Sequence, residues 1–112
     1  MESKQQTSIL VIYTGGTIGM VRDQDTGTLK PFNFDNIYEQ LPALRLIDTK
    51  IDNYCFDPVI DSSDINPEHW QKLAAVIYER YEEYDGFVVL HGSDTMAYTA
   101  SALSFMLENL NK

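Results

Sequence analysis

The chain has 112 residues, enough for one domain or part of one, and its hydrophobic fraction of 44% is ordinary for a globular core. A formal charge of −9, with only 8 basic residues, excludes the basic face that binding to nucleic acid or to an anionic membrane needs. Cys55 is the only cysteine, and no apolar stretch approaches the roughly 20 residues of a membrane helix. With the polar start of the chain, these features predict a reducing, cytoplasmic setting.

The first predicted element is a strand over residues 8–13, an apolar run that is typical of a strand buried on both faces. A glycine turn, residues 14–19, follows it directly. Glycine allows a tight turn and leaves main-chain N–H groups free to bind an anion, and ligands of open α/β sheets gather beyond such strand ends. The polar stretch 20–31 predicts a mobile loop rather than a helix.

The middle of the chain predicts two helices and two strands. A short helix, capped by an aspartate, is expected over residues 35–42, and strands are expected over 44–51 and 54–60. A longer helix begins with Asn66 as its N-cap and Pro67 at its first position. Residues at three- and four-residue spacing mark its apolar face: Trp70, Leu73, Ala74, Ile77, Tyr81 and Tyr84.

The last part of the chain repeats the order of strand, turn and helix. Residues 86–90 predict a strand, residues 91–95 a polar turn, and residues 95–109 a final helix. The apolar residues of this helix are less periodic, which is typical of a helix covered on more than one side. It is expected to bury Ala97, Ala100, Leu103, Phe105 or Met106, and Leu107. The alternation of strands and helices predicts an α/β fold with a largely parallel sheet and flanking helices.

Three motifs at the predicted strand ends resemble those of the asparaginase and glutaminase family of amidohydrolases. They are Thr14-Gly15-Gly16-Thr17-Ile18-Gly19, Asp61-Ser62-Ser63-Asp64 and His91-Gly92-Ser93-Asp94-Thr95. From Ser8 to its end, the chain is similar to the bacterial cytoplasmic type I L-asparaginases. The resemblance implies a flavodoxin-like N-terminal domain, of which residues 1–112 are an incomplete part, with the C-terminal domain absent from this chain. We therefore expect the isolated chain to expose an unpaired sheet edge.

The same resemblance implies hydrolysis of L-asparagine, and to an open extent L-glutamine, to the acid and ammonia without a cofactor. Thr17 is the expected nucleophile, because amide hydrolysis is commonly split into acyl transfer to a hydroxyl and then to water. Backbone N–H groups of the glycine turn, with Gly16 among its residues, are expected to bind the developing oxyanion. In the alternative interpretation, Thr17 only hydrogen-bonds its own loop, as threonines in turns often do.

Further residues are expected, from the resemblance, to hold substrate or water. Ser93 stands where the family most often has threonine, and its hydroxyl is expected to position water in the second half of the reaction. Asp94 is expected to bind the α-ammonium group of the substrate and, as a catalytic residue, to form a proton-relay group with Ser93 and the family's later lysine. Ser62, flanked by Asp61 and Ser63, is expected to bind the α-carboxylate. Considered alone, an aspartate at a helix start is a common cap, and a stretch of serine and aspartate is a common turn.

Other residues depart from the family pattern or have an expected structural role. Thr28 stands where many members have a tyrosine. The family's later lysine and the C-terminal domain of its partner subunit lie outside the chain, so we expect the chain alone to be inactive and the complete protein to be a homodimer or homotetramer. His91 is expected to be structural, His69 to lie on the surface near a helix start, and Tyr13 to be a strand residue, and no metal site is expected. Tyrosines expected to pack helices are Tyr78, Tyr81, Tyr84 and Tyr98.

Three other functions are open on the sequence alone. A dinucleotide-binding domain also has a glycine turn after its first strand. Its fingerprint, however, requires glycine where Thr14 stands and a helix that begins directly after the turn, whereas residues 20–31 are loop-like. In a non-catalytic α/β binding module, Thr17 and Ser93 would be ordinary turn residues. A glutamine-hydrolysing amidotransferase subunit shares the motifs and would deliver its ammonia to a partner.

Overall fold

The computed structural model describes residues 6–16, 20–31 and 42–112. In these ranges the strands are β1 (Thr7–Tyr13), β2 (Met20–Arg22), β3 (Leu29–Pro31), β4 (Thr49–Cys55) and β5 (Gly86–Leu90). The α-helices are α1 (Pro67–Glu79) and α2 (Met96–Met106), and 3₁₀ helices span Pro42–Leu46 and Ser62–Asp64. The helix predicted over 35–42 lies outside the described residues except for Pro42.

β1 is the central strand of a three-stranded parallel sheet, in the order β4-β1-β5. Tyr13, the last residue of β1, lies opposite Cys55 in β4 and Leu90 in β5, so the three strands end at the same level. This sheet and its flanking helices confirm the predicted α/β fold. Because the carboxyl ends of parallel strands share one edge, the turns that follow them are brought together.

β1 is buried on both faces, as its uninterrupted apolar sequence predicts. The main core lies on one face and contains Leu10, Ile12, Phe56, Leu73, Val76 and Ile77. On the opposite face, Tyr13 is 1% exposed and is the buried centre of a second, smaller cluster. Burying one such side chain contributes about 1.5–3 kcal/mol, so β1 holds the two layers of the unit together.

α1 begins where the sequence predicts, because the side chain of Asn66 satisfies N–H groups of the first turn. Its oxygen accepts hydrogen bonds from the N–H of Glu68 at 2.9 Å and of His69 at 3.3 Å. In return, the N–H of Asn66 donates to Nδ1 of His69 at 3.1 Å. His69 therefore lies at the helix start, as expected, and completes a capping box, a role that the sequence interpretation did not assign to it. The predicted apolar face is buried at Leu73, Ala74 and Ile77.

The stretch 20–31 is not helical, as predicted, but the expectation of a loop throughout is wrong. It contains the antiparallel pair β2 and β3. The carboxylate of Asp23 sets the turn between them, because it accepts from the N–H of Asp25 at 2.8 Å and of Thr26 at 3.2 Å. Gly27 completes the turn with a φ of +72°.

The strands predicted over 44–51 and 54–60 are wrong in their bounds. A single strand, β4, covers the end of the first and the start of the second, and a 3₁₀ helix precedes it. The polar residues Asp52 and Asn53 interrupt the apolar pattern and suggested a break. They are tolerated because β4 pairs only with β1 among the described strands, and an edge strand is less completely buried than a central one.

α2 is shorter than predicted and less buried. Leu103 and Leu107 pack against the main core, as expected, whereas Phe105 is 82% exposed. Also exposed, against expectation, are Ala97, Ala100 and Met106. Thr99 is the one fully buried residue of α2 in the part of the chain that the structure describes, so the expectation of cover on more than one side is wrong there.

Two of the four tyrosines assigned to packing do pack, at the end of the molecule opposite the strand ends. Tyr81 stacks on Phe87, and Tyr84 meets the edge of the same ring. The hydroxyl of Tyr84 also donates to the carboxylate of Asp52 at 2.7 Å. Burial, reinforced by this hydrogen bond, raises the pKa of Tyr84 to about 12. The packing prediction is wrong for two residues, which are exposed: Tyr78 and Tyr98.

We predict that Leu73→Ala lowers the free energy of unfolding by about 2–5 kcal/mol, because it leaves a cavity in the main core. Leu73 is 1% exposed, whereas Leu46 is 88% exposed, so Leu46→Ala is the matched control with little expected effect. Denaturation by urea, followed by circular dichroism, measures both variants. Equal losses at the two positions would contradict the assignment of the core.

We predict that Tyr84→Phe destabilises the protein at neutral pH and that this effect declines in alkali. The pKa of Tyr84 is raised from 10.0 to about 12, so its contribution is fully present below the unfolded pKa and is lost as pH rises through the folded one. The difference in unfolding free energy between wild type and variant should therefore shrink between about pH 10 and pH 12. A difference that does not change with pH would contradict the hydrogen bond to Asp52.

Candidate functional site

Thr14 joins the ends of the three parallel strands. Its N–H and its hydroxyl Oγ1 both donate to the carbonyl of Leu90 at the end of β5, at 3.0 and 2.9 Å. Its own carbonyl accepts the N–H of Ile60, which follows β4, at 2.8 Å. Since Thr14 is buried, these bonds are shielded from water and fix the starts of all three turns relative to one another.

The three turns touch through glycine backbones. Gly15 has a φ of +153°, and a Cβ there would overlap the carbonyl of Ile60. Gly16 has a φ of +93°, and a Cβ there would lie 2.7 Å from the backbone N of Gly92. A Cβ on Gly92 would in turn lie 2.7 Å from the hydroxyl Oγ of Ser62. No side chain larger than hydrogen fits at these contacts without displacing a neighbouring turn.

The turn after β4 presents Ser62 through a short 3₁₀ helix capped by Asp61. The carboxylate of Asp61 accepts from the N–H of Ser63 at 3.0 Å and from its hydroxyl at 2.9 Å. These two bonds lower the pKa of Asp61 below its ordinary value, which already lies far below neutral pH. The hydroxyl of Thr95 donates to the carbonyl of Ser62 at 2.6 Å and ties this turn to the turn after β5.

A pocket of about 500 Å³ lies where the turns meet. Its lining residues are Gly16, Met20, Val59, Ile60, Asp61, Ser62, Gly92, Ser93 and Asp94. The volume is in the range of small-molecule sites. The structure thus brings five of the residues expected from the sequence to one cavity: Gly16, Asp61, Ser62, Ser93 and Asp94.

The remaining expected residues lie elsewhere or outside the described ranges. Thr17 falls in the stretch 17–19, which the structure does not describe. Ser63 borders the pocket without lining it, and its hydroxyl is bound to Asp61. The N-cap of α2 is Thr95, so Asp94 is not the cap that the alternative interpretation proposed.

The turn of the hairpin contains Thr28, the residue that the resemblance singled out. The hydroxyl of Thr28 shares a hydrogen bond of 2.7 Å with the hydroxyl of Thr26. This contact lies within the hairpin. Met20 is the hairpin residue that lines the pocket.

His91 lies next to the pocket residue Gly92 and takes part in a chain of hydrogen bonds with Thr99 and Trp70. The indole N–H of Trp70 donates to the hydroxyl of Thr99 at 2.8 Å, and that oxygen lies 2.9 Å from Nε2 of His91. Nδ1 of His91 lies 2.5 Å from the carbonyl of Gly92. Because a carbonyl can only accept, Nδ1 carries the hydrogen in this arrangement. His91 therefore has the expected structural role: its ring holds the carbonyl of Gly92, the residue before Ser93.

Tyr13 is the residue of this region that the sequence interpretation missed. It was expected only as a strand residue, yet its hydroxyl donates to the carbonyl of Gly16 at 2.9 Å. Burial, with a smaller contribution from Cys55, raises the pKa of the phenol. The one signal in the sequence is its position as the last residue of β1, directly before the glycine turn.

Among the described residues, no group of three or more His, Cys, Asp and Glu side chains is arranged to hold a metal ion. The pocket instead offers two carboxylates, from Asp61 and Asp94, and two hydroxyls, from Ser62 and Ser93. Carboxylates attract a cationic group and hydroxyls donate to an anionic one. This combination suits a small ligand with both charges. In the described ranges, no helix is long and apolar enough to span a bilayer.

Polar turns that meet in one pocket beyond the carboxyl ends of parallel strands define an open α/β sheet with a small-molecule site. The family model described as "Asparaginase, N-terminal" matches residues 8–112. The chain belongs to this family.

Individual relatives agree in sequence and in structure. The chain is 50% identical to L-asparaginase 1 of Escherichia coli (strain K12) over 96% of its length, which is 32% of that protein. It matches the structure of L-asparaginase I from Vibrio cholerae with a TM-score of 0.77 and 44% identity, over 96% of this chain and 32% of that one. A probable cytoplasmic L-asparaginase from Campylobacter jejuni matches with a TM-score of 0.64 and 34% identity, over 87% and 30%. The chain spans about a third of the length of these relatives.

We predict that Gly16→Ala destabilises the protein by at least about 2 kcal/mol more than Gly27→Ala. Both glycines have left-handed φ values, +93° and +72°, so both substitutions incur backbone strain. Only the Cβ at position 16 also meets another backbone, whereas position 27 has open space around it. Thermal unfolding of the two variants measures the difference. Equal losses would show that the turns are not in contact.

Proposed function

We propose that the full-length protein carrying this chain hydrolyses L-asparagine to L-aspartate and ammonia. The proposal rests on one observation above all: in a chain of the asparaginase N-terminal family, Ser62, Ser93 and Asp94 line a single pocket beyond the parallel strands. The reaction needs no cofactor. Residues 1–112 are then the N-terminal part of the enzyme's N-terminal domain.

The substrate would be held by its two charged groups. Asp94 binds the α-ammonium group, and its carboxylate is exposed and takes no part in capping α2. Ser62 donates its hydroxyl to the α-carboxylate from a buried position against Gly92. Asp61 carries a negative charge beside the same pocket, while its bonds to Ser63 hold the turn in shape. Fixing both ends of the amino acid leaves its side-chain amide as the free, reacting end.

Thr17 then acts as the nucleophile. Its hydroxyl oxygen bonds to the amide carbon of the substrate, the carbon–nitrogen bond breaks, and ammonia leaves with the proton of the hydroxyl. Backbone N–H groups of the glycine turn stabilise the negative oxygen of the tetrahedral intermediate. Water, positioned by the hydroxyl of Ser93, attacks the resulting ester, releases L-aspartate and returns the proton to Thr17. The sum is one asparagine and one water consumed for one aspartate and one ammonia.

Parts of this machinery would come from outside the chain. In the family a lysine from a later segment assists proton transfer, and a partner subunit closes the site. We therefore propose that the complete enzyme is a homodimer or homotetramer and that the 112 residues alone are inactive. A cytoplasmic location is supported by the relative from Campylobacter jejuni, described as a probable cytoplasmic L-asparaginase, and by the low cysteine content of the 112 residues, which include one cysteine.

The prediction is that the full-length protein releases ammonia from L-asparagine and that Thr17→Ala lowers kcat by at least about 10³-fold, as expected for loss of a nucleophile. Thr26→Ala is the matched control, since Thr26 is exposed in the hairpin turn and its hydroxyl contacts Thr28. A coupled assay for ammonia measures the three proteins side by side.

The assay separates the alternatives. Retained activity in Thr17→Ala would move the nucleophile to Ser93. Release of ammonia from L-glutamine alone, increased by a tRNA-modifying partner, would support the amidotransferase subunit instead. No release from either amino acid by the wild type would overturn the proposal and favour a binding module.

A further inference from the structure

We propose that Tyr13 is a positioning residue, whose phenol hydroxyl fixes the carbonyl of Gly16 and thereby the turn that leads into the nucleophile. This inference rests on the proposed function, because the effect of Tyr13 is measured as a change in the rate of asparagine hydrolysis. It assigns to Tyr13 a role beyond that of a buried strand residue. Tyr13 acts through Gly16, which lines the pocket, and is not itself among the lining residues.

The ring of Tyr13 is a fixed support for its hydroxyl. Tyr13 is 1% exposed, and the residues packed around its ring are Val11, Leu44, Ile51, Val59 and Leu90. These come from all three parallel strands and from the segments before and after β4. A tyrosine held in this way has little rotamer freedom, so its hydroxyl is delivered to one place.

Gly16 needs such a support more than another residue would. Glycine has the widest range of backbone conformations, and Gly16 adopts a φ of +93°. Its backbone packs on Gly92, and its carbonyl accepts the hydroxyl of Tyr13 at 2.9 Å. The packing limits how close the turn approaches its neighbour, and the hydrogen bond limits rotation of the peptide group. Together they hold a flexible residue in one conformation.

Fixing this carbonyl has a direct consequence for the next residue. A peptide group is planar, so the carbonyl of Gly16 and the nitrogen of Thr17 rotate as one unit. A carbonyl that accepts a hydrogen bond is also polarised, which strengthens its own amide N–H as a donor. Tyr13 therefore both restricts and polarises the peptide group that joins the glycine turn to Thr17.

The hydroxyl is suited to act as a permanent donor. A tyrosine phenol keeps its proton at neutral pH, and burial, with a smaller contribution from Cys55, raises the pKa of Tyr13 above its ordinary value. A carbonyl oxygen has no proton to give, so the direction of the bond is fixed. Tyr84, at the other end of the sheet, makes a comparable bond to Asp52 at 2.7 Å without any contact to the turns.

The test compares Tyr13→Phe with Tyr84→Phe in the full-length protein. Each variant loses a tyrosine hydroxyl, with its hydrogen bond to the Gly16 carbonyl or to the Asp52 carboxylate, and each keeps an aromatic ring. We expect Tyr13→Phe to lower kcat for L-asparagine about tenfold, the effect typical of one hydrogen bond lost, with KM changed by no more than about twofold. Tyr84→Phe should leave kcat and KM within about twofold of wild type. Circular dichroism and thermal unfolding check that both variants are folded.

The outcomes are distinct. If wild type hydrolyses asparagine and the two variants have the same kcat, the role of Tyr13 is overturned while the proposed function stands. A rise in KM with unchanged kcat would also overturn it, since the hydroxyl would then affect substrate binding and not the nucleophile's turn. If wild type itself releases no ammonia, the proposed function fails and the inference with it.

Discussion

The contact between the backbones of Gly16 and Gly92 is the constraint on which the pocket depends. The parallel strands end at one level, so the turns that leave them compete for the same space. They fit only because glycine stands at the point of contact, and because Gly92 in turn lies against Ser62. A side chain at either glycine would push two turns away from each other, and the residues that line the pocket would no longer lie together.

Hydrogen bonds then convert this close approach into a defined geometry. Thr14 links the ends of the strands, Thr95 ties the turn after β5 to Ser62, and Tyr13 holds Gly16. Each is a side chain bonded to a backbone carbonyl, and the residues that line the pocket include two that carry hydroxyls and two that carry carboxylates. A site preorganised in this way stabilises charge in a transition state without first having to rearrange. The sheet itself supplies the rigid base, because β1 is buried on both faces.

The sequence predicted well where one physical signal dominates and poorly where tertiary contacts decide. β1 and β5 follow from apolar runs, and α1 from its cap and spacing, since these depend on local chemistry. The bounds of β4 were missed because polar residues on an edge strand break the pattern. The motifs placed Ser62, Ser93 and Asp94 at strand ends, but the bond from Tyr13 to the Gly16 carbonyl was visible only once the fold had brought the ring under the turn.

A crystal structure of the full-length protein with L-aspartate, the proposed product, tests the central claim most directly. The account predicts the amino acid in the pocket between the three turns, with its α-carboxylate within hydrogen-bonding distance of the Ser62 hydroxyl and its α-ammonium group on Asp94. Its side-chain carboxylate should point toward Thr17. Aspartate bound away from these turns, or in the pocket with its charged groups on other residues, would contradict the account.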